Sequence, residues 1–257
     1  MMEKRSFVVV ILAAGKGTRM KSNKLKVMHE IKNRPLIDFV IEQIEKLNLN
    51  IKPTLVVTND DDAVQKYLGD RADYVEQKEK LGTGHAVQMA EEFLKNKAEN
   101  ILVLYGDMPF VDAESLKKLI LKHLEEKNIL TLATVKLNNF DSWQEQFRDF
   151  GRIVRNVYGD FVKIIEKKDA SEDELNIKEV NPAIFCFQAE WLWKNLKNLK
   201  NNNAQKEYYL TDLASMAVLQ KQKISTSDIS SKEAVGINTR EQLFYAEELD
   251  KTNDKKV

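Results

Sequence analysis

The chain has 257 residues, 40 of them Lys or Arg and 40 Asp or Glu, so its formal net charge is zero and no global field draws it to nucleic acid or to anionic lipid. That length can bury a sizeable core and suits one α/β domain. A single cysteine, Cys186 in the apolar run Ala183-Ile184-Phe185-Cys186-Phe187, excludes an internal disulfide, reads as a core residue and suits a reducing cytoplasm, and no segment approaches the ~20 apolar residues that span a bilayer.

Lys4 and Arg5 followed by an apolar run imitate a short secretory signal, but the pattern after it continues without a break as alternating strands and helices. The run Phe7 to Ile11 is β-branched and predicts a buried strand. It delivers Leu12-Ala13-Ala14-Gly15-Lys16-Gly17-Thr18-Arg19-Met20, a loop whose glycines let backbone amides approach phosphate oxygens while Lys16 and Arg19 add full charge. The spacing is neither that of a Walker A loop, since Gly17 follows Gly15-Lys16, nor that of a dinucleotide fold, since Met20 stands where a third glycine belongs. It predicts a site for a nucleoside triphosphate of a third kind.

Leu36, Ile37, Val40, Ile41, Ile44 and Leu47 predict a helix entered at Pro35; Pro53 to Thr58 a strand; Asp61 to Leu68 a helix; Asp73 to Glu76 a strand; Ala86 to Leu94 a helix; and Ile101 to Tyr105 a strand ending in Gly106-Asp107. Such alternation implies a mostly parallel sheet whose ligands gather at the carboxyl ends of its strands, where both the glycine loop and Asp107 lie. From Ile129 the strands crowd together: Ile129 to Val135, a hairpin of Arg152 to Val157 and Phe161 to Glu166, and Val180 to Phe187. The hairpin reads as a small antiparallel lid, and Asn138 to Phe150 as an inserted loop. Helical patterns return at Glu190 to Leu199, Tyr209 to Gln220 and Thr239 to Leu249, before a polar tail expected to fray. Trp191 and Trp193 read as core, and homo-oligomeric assembly is left open. No internal repeat is present.

The glycine loop, Lys26-Val27-Met28-His29, Gln77 with Leu81-Gly82-Thr83-Gly84-His85-Ala86, Tyr105-Gly106-Asp107, Gly151-Arg152-Ile153, Glu166 to Ala170, Asn201 to Gln205 with Tyr208 to Asp212, and Gly236-Ile237-Asn238 together resemble, in order, the uridylyltransferase domain of bacterial N-acetylglucosamine-1-phosphate uridylyltransferases. The resemblance spans nearly the whole chain. It implies an α/β, Rossmann-like nucleotide-diphospho-sugar transferase fold with a mostly parallel mixed sheet. One domain over residues 1–250 would divide into a nucleotide-binding half, about 1–128, and a sugar-binding half, about 129–238, with 251–257 as the tail. It further implies transfer of uridylyl from UTP to N-acetylglucosamine 1-phosphate, for cell-envelope precursors, with no nucleic-acid or membrane partner. No left-handed β-helix of the kind that acetylates glucosamine 1-phosphate is expected.

By the same resemblance Mg²⁺ is held by Asp107 and Asn238, Lys26 neutralises phosphates at the reacting phosphorus and Arg19 holds the departing pyrophosphate. Leu12 to Thr18 cradle the triphosphate, and Gln77, Gly82 and Thr83 read uracil. Gly151, Glu166 and Asn181 hold the sugar, bordered by Tyr105, Gly106 and Tyr208. His29 and His85 read as structural. Two substitutions depart from the family's pattern: Pro182-Ala183 stands where Thr-Gly is usual after Asn181, and Leu25 where proline precedes the lysine. Related transferases of another sugar or nucleotide, and a non-catalytic UDP-sugar-binding module, are the alternatives.

Overall fold

The computed structural model describes residues 7–15 and 17–253, the side chains beyond Glu248 excepted; residues 1–6 with Lys4 and Arg5, Lys16 of the glycine loop and residues 254–257 lie outside the described residues. In chain order the elements are β1 (Phe7–Leu12), β2 (Glu30–Ile31), β3 (Arg34–Pro35), α1 (Leu36–Glu45), β4 (Thr54–Thr58), α2 (Ala63–Leu68), β5 (Asp73–Gln77), α3 (Thr83–Gln88), α4 (Glu91–Leu94), β6 (Asn100–Tyr105), α5 (Ala113–Glu125), β7 (Leu130–Lys136), β8 (Gly151–Arg155), β9 (Phe161–Ile165), α6 (Glu172–Leu175), β10 (Glu179–Asn181), β11 (Phe185–Gln188), α7 (Ala189–Leu196), α8 (Asp212–Leu219), β12 (Ile224–Asp228) and α9 (Arg240–Asn253).

One ten-stranded mixed sheet runs in the order β5-β4-β1-β6-β11-β7-β10-β8-β9, with β12 added beside β7. The pairs β5-β4, β4-β1 and β1-β6 are parallel, and those from β6 to β11 and onward to β9 are antiparallel. The hairpin β8-β9 therefore extends the sheet through β10. The central strands are buried on both faces because their side chains alternate between two cores: Phe7, Val9 and Ile11 join one cluster, Val8, Val10 and Leu12 the other. Trp191 and Trp193 are buried in the second cluster, as is Cys186 in the first, where burial pushes its thiol pKa up.

Register decides what meets at the carboxyl ends. Leu12 pairs with Tyr105, so the glycine loop and Gly106-Asp107 leave the sheet side by side, joined by the Gly106 N–H to Leu12 carbonyl bond at 3.0 Å. Thr58 pairs with Gln77, placing that amide on the same edge.

The stretch Val180 to Phe187 is two strands, not one. Pro182 has no N–H to give a ladder and Ala183 turns the chain at φ 61°, so β10 pairs with β8 and the end of β7 while β11 crosses to lie between β6 and β7. Asn138 to Phe150 is mostly a 3₁₀ helix over Ser142–Asp149, with Phe147 fully buried. The buried Arg152 guanidinium donates to the carbonyls of Arg148, Phe150 and Leu175 and ties that segment to the sheet. Ala86 to Leu94 is two short helices, α3 and α4, and α9 runs past Leu249 to Asn253. Neither α5 nor β12 is anticipated from the sequence. Among the described residues no helix is long and apolar enough to cross a membrane.

Candidate active site

Two cavities open at the carboxyl edge and share Lys26, Thr83, Tyr105 and Glu207. One, about 180 Å³, is lined by Leu12, Ala14, Gly15, Gln77, Lys80 and Gly82 among others. The second, about 270 Å³, takes Arg19, Asp107, Gly151, Glu166, Asn181 and Asn238 among its walls. Of the expected nucleotide residues Leu12, Ala14, Gly15, Gln77 and Gly82 line the first cavity, of the expected sugar and metal residues Gly151, Glu166, Asn181, Asp107 and Asn238 line the second, and the seam carries Lys26.

Lys26 is placed by the glycine loop. Gly17 adopts φ +64° and a Cβ there would stand 2.7 Å from Lys26 Cβ, while one on Gly15 would come within 3.7 Å of Lys26 Cε; the loop wraps the lysine stem because glycine leaves it room. Leu25 holds φ −54°, the value proline would impose, so the turn into Lys26 keeps its shape without proline. The ammonium then donates to Asp107 Oδ2 at 2.6 Å and to Asn238 Oδ1 at 3.0 Å. Asn238 is free to do this because Thr239 and Gln242 cap α9: Thr239 Oγ1 accepts the Gln242 N–H at 3.2 Å and Gln242 Oε1 accepts the N–H groups of Asn238 and Thr239. Arg19, at the mouth, donates to Asn238 Oδ1 at 3.1 Å and faces Asp149 at 3.5 Å.

Several expected residues act elsewhere. Ala13, Gly17 and Thr18 line neither cavity: Ala13 N–H donates to the Val56 carbonyl, Gly17 packs on Lys26, and Thr18 opens the 3₁₀ turn that carries Arg19. Gly106 is a packing residue, since a Cβ would stand 2.8 Å from Ile37 Cδ1. Tyr208 packs on the core and pairs through its backbone with Leu81 and Gly84, leaving Glu207 and Tyr209 to face the second cavity. Thr83 does not cap α3; its hydroxyl accepts the Leu210 N–H at 3.0 Å and bonds Tyr105, whose hydroxyl pKa is driven upward by burial and by Glu166. Tyr105 therefore keeps its proton at the seam.

On the sugar side Glu166 accepts from Thr211 Oγ1 at 2.9 Å, and burial raises its pKa more than that bond lowers it. Asn181 Oδ1 accepts the Ala183 N–H at 2.9 Å, which turns its amide hydrogens toward other partners. Lys80, Glu207 and Asp149 are not singled out in the sequence, and Thr211 stands there only within the Tyr208 to Asp212 motif. Lys80 donates to the Ala14 carbonyl at 2.6 Å; nothing in its local sequence marks it apart from other surface lysines.

Residues 9–208 match the model of the MobA-like NTP transferase domain. The bifunctional protein GlmU of Acetivibrio thermocellus is 42% identical over 240 residues, covering 93% of this chain and 50% of that protein. That of Streptococcus uberis is 40% identical over 241 residues, with 93% and 51% covered. The chain spans about half the length of the curated relatives it matches. Its fold is shared with a UDP-glucose pyrophosphorylase solved with UDP-glucose, at TM-score 0.76 and 17% identity over 96% of this chain and 99% of that one. A putative glucose-1-phosphate thymidylyltransferase from Bacillus anthracis, solved with sucrose, superposes at TM-score 0.72 and 18% identity, with 95% of each chain covered. With the family model covering residues 9–208 and the same Rossmann-like sheet presenting the glycine loop at its carboxyl edge, the chain belongs to the MobA-like NTP transferase domain family.

Proposed function

We propose that this protein joins UTP and N-acetylglucosamine 1-phosphate into UDP-N-acetylglucosamine, releasing pyrophosphate. The observation that carries the reading is Lys26 at the seam of two cavities, its ammonium between a carboxylate and an amide oxygen. In the reaction an oxygen of the sugar phosphate attacks the α-phosphorus of UTP, a P–O bond forms, and the bond to the bridging oxygen of pyrophosphate breaks. Both substrates are anions, so the protein's work is to hold them in line and to offset charge that moves to the leaving group. In this reading Lys26 and Arg19 supply fixed cations, the backbone amides at Ala14 and Gly15 and the Lys80 ammonium receive the triphosphate, and Gln77 and Gly82 meet the base. Glu166 and Asn181 offer an acceptor and a donor to hydroxyl and acetamido groups.

A divalent cation fits the donor set. Asp107 Oδ2 and Asn238 Oδ1 already converge on one cationic nitrogen, and Gly236 abuts them, so that a Cβ there would touch both side chains, 3.6 Å from Asn238 Nδ2 and 3.8 Å from Asp107 Oδ2. Few protein oxygens and several phosphate or water oxygens are what Mg²⁺ takes. Asp107 and Asn238 would hold it, and when bound it would neutralise phosphate charge.

Pyrophosphate release measured with Mg²⁺ across a panel of nucleoside triphosphates and sugar 1-phosphates tests the proposal. Turnover is expected to be fastest with UTP and N-acetylglucosamine 1-phosphate. Preference for another pair would reassign the substrates, and tight UDP-sugar binding with no turnover of any pair would make the protein a sensor.

A further inference from the structure

Gln77 lies at the carboxyl end of β5, 4% exposed, with its side chain in the wall of the smaller cavity. Its Nε2 is 3.2 Å from the Gly82 carbonyl and 3.1 Å from His85 Nδ1. A carbonyl oxygen only accepts, so the group facing Gly82 is the amide nitrogen and the orientation of the side chain follows from that contact. The second amide hydrogen is then directed at His85, whose Nδ1 must be the unprotonated nitrogen of the ring. Burial lowers the pKa of this histidine more than the charge and backbone of Glu79 raise it, which favours the neutral ring, and with Nδ1 accepting from Gln77 the remaining proton belongs on Nε2. Gln77 Oε1 is left over. Among the described residues no donor meets it.

We infer that His85 is a positioning residue for base selection: by accepting from Gln77 it holds the amide so that only an oxygen acceptor faces the base, which admits a pyrimidine bearing hydrogen on N3 and disfavours one with a lone pair there. The inference rests on the uridylyl-transfer reading and deepens it. Uracil offers the N3–H that a lone acceptor needs. Cytosine in the same pose would set its N3 lone pair against Oε1, leaving both acceptors without a hydrogen. Were His85 to offer a proton at Nδ1 instead, the amide would be pulled over, its oxygen toward the ring and its nitrogen toward the base, and the preference would reverse. The glycine carbonyl resists that turn, but one hydrogen bond resists less than two. His85 thus acts on the base through Gln77.

Two measurements test this. The first is the ratio of kcat/KM for UTP to that for CTP in the wild type, in His85→Leu, which has no acceptor, and in His85→Asn, which keeps one near the Nδ1 position. The ratio is expected to fall about 10-fold in His85→Leu, the worth of one hydrogen bond in discrimination, and to stay within about threefold of wild type in His85→Asn. An unchanged ratio in folded His85→Leu overturns the inference. The second is the ¹⁵N spectrum of the His85 ring in the wild-type protein, which needs neither turnover nor a variant that folds: the Nε2–H tautomer is expected, and an Nδ1–H tautomer overturns the inference. A wild type that turns over no UTP, yet shows the Nε2–H ring, would defeat the uridylyl reading while leaving the orientation of Gln77 standing.

Discussion

Lys26 and Asp107 hold one another in a poorly solvated place, their side chains 16% and 7% exposed at an N–O distance of 2.6 Å. Removing the cation alone leaves a carboxylate facing low dielectric without its partner. Lys26→Met is therefore expected to do two things. In steady-state assays with UTP, kcat should fall by about 10²-fold, or ~3 kcal/mol of transition-state stabilisation, whereas an effect confined to KM would make Lys26 a uniform binder. In thermal unfolding without nucleotide, the variant's midpoint should drop, and Mg²⁺ should raise it more than it raises the wild type's, because the two oxygens vacated by the ammonium are left for the metal. Equal Mg²⁺ responses would separate Lys26 from that pair of oxygens. Ala183 is the opposite case, a residue under local strain at φ 61°. Ala183→Gly should stabilise the fold by about 0.5–1 kcal/mol in urea titrations, since the gain from removing a left-handed Cβ exceeds the added chain entropy. A loss of stability would mean that the methyl packs better than its backbone suffers.

Among the elements, α1 shows how a helix predicted from periodicity is fixed in place by partners that periodicity does not reveal. Its apolar face, Leu36, Ile37, Val40, Ile41 and Ile44, is buried as the spacing requires, but its first turn is pinned by Asp38, which accepts from Arg34 Nε at 2.6 Å and Arg71 Nη1 at 2.5 Å. Burial by itself would raise the pKa of Asp38; the hydrogen bonds from Arg71 and Arg34 outweigh it and hold the carboxyl below its usual range. A carboxyl with a depressed folded-state pKa gives stability that is present above its unfolded pKa, about 3.9, and is lost as pH falls through the lower folded value. Asp38→Asn should thus cost about 1–2 kcal/mol at pH 7, a figure kept small because both arginines are more than a third exposed, and the difference should narrow as pH falls below the unfolded value of about 3.9. Urea titrations of both proteins at pH 7 and below that value decide it; a constant difference would point to packing. Pro182-Ala183 stands out in the residues themselves, yet the strand break it makes is not read from them, since Val180 to Phe187 reads as one strand. Where β11 goes after the turn depends on the vacancy between β6 and β7.

At the scale of the whole molecule, β11 from the second half is hydrogen-bonded to β6 from the first, and one sheet crosses both. The two halves are expected to unfold together. Trp143, Trp191 and Trp193 all lie after residue 128, so tryptophan fluorescence reports the second half alone while far-UV circular dichroism reports the entire chain. Coincident transitions are expected in urea; a fluorescence transition displaced from the dichroism would show halves that unfold separately. The same continuity explains what could be read in advance. The strand-loop unit around Gly15 and Gly17 and the acid at the end of β6 were legible in the sequence, because short-range sterics and strand periodicity leave local marks on the residue types; Lys26 was marked only by the family resemblance. That Lys26 reaches Asn238 from 212 positions away, that Glu207 stands in the seam, that Lys80 meets Ala14 and that Tyr208 turns inward were decided only by the tertiary structure. Such contacts are set by sheet register and by which side chains share one edge, and a chain read locally carries no record of either.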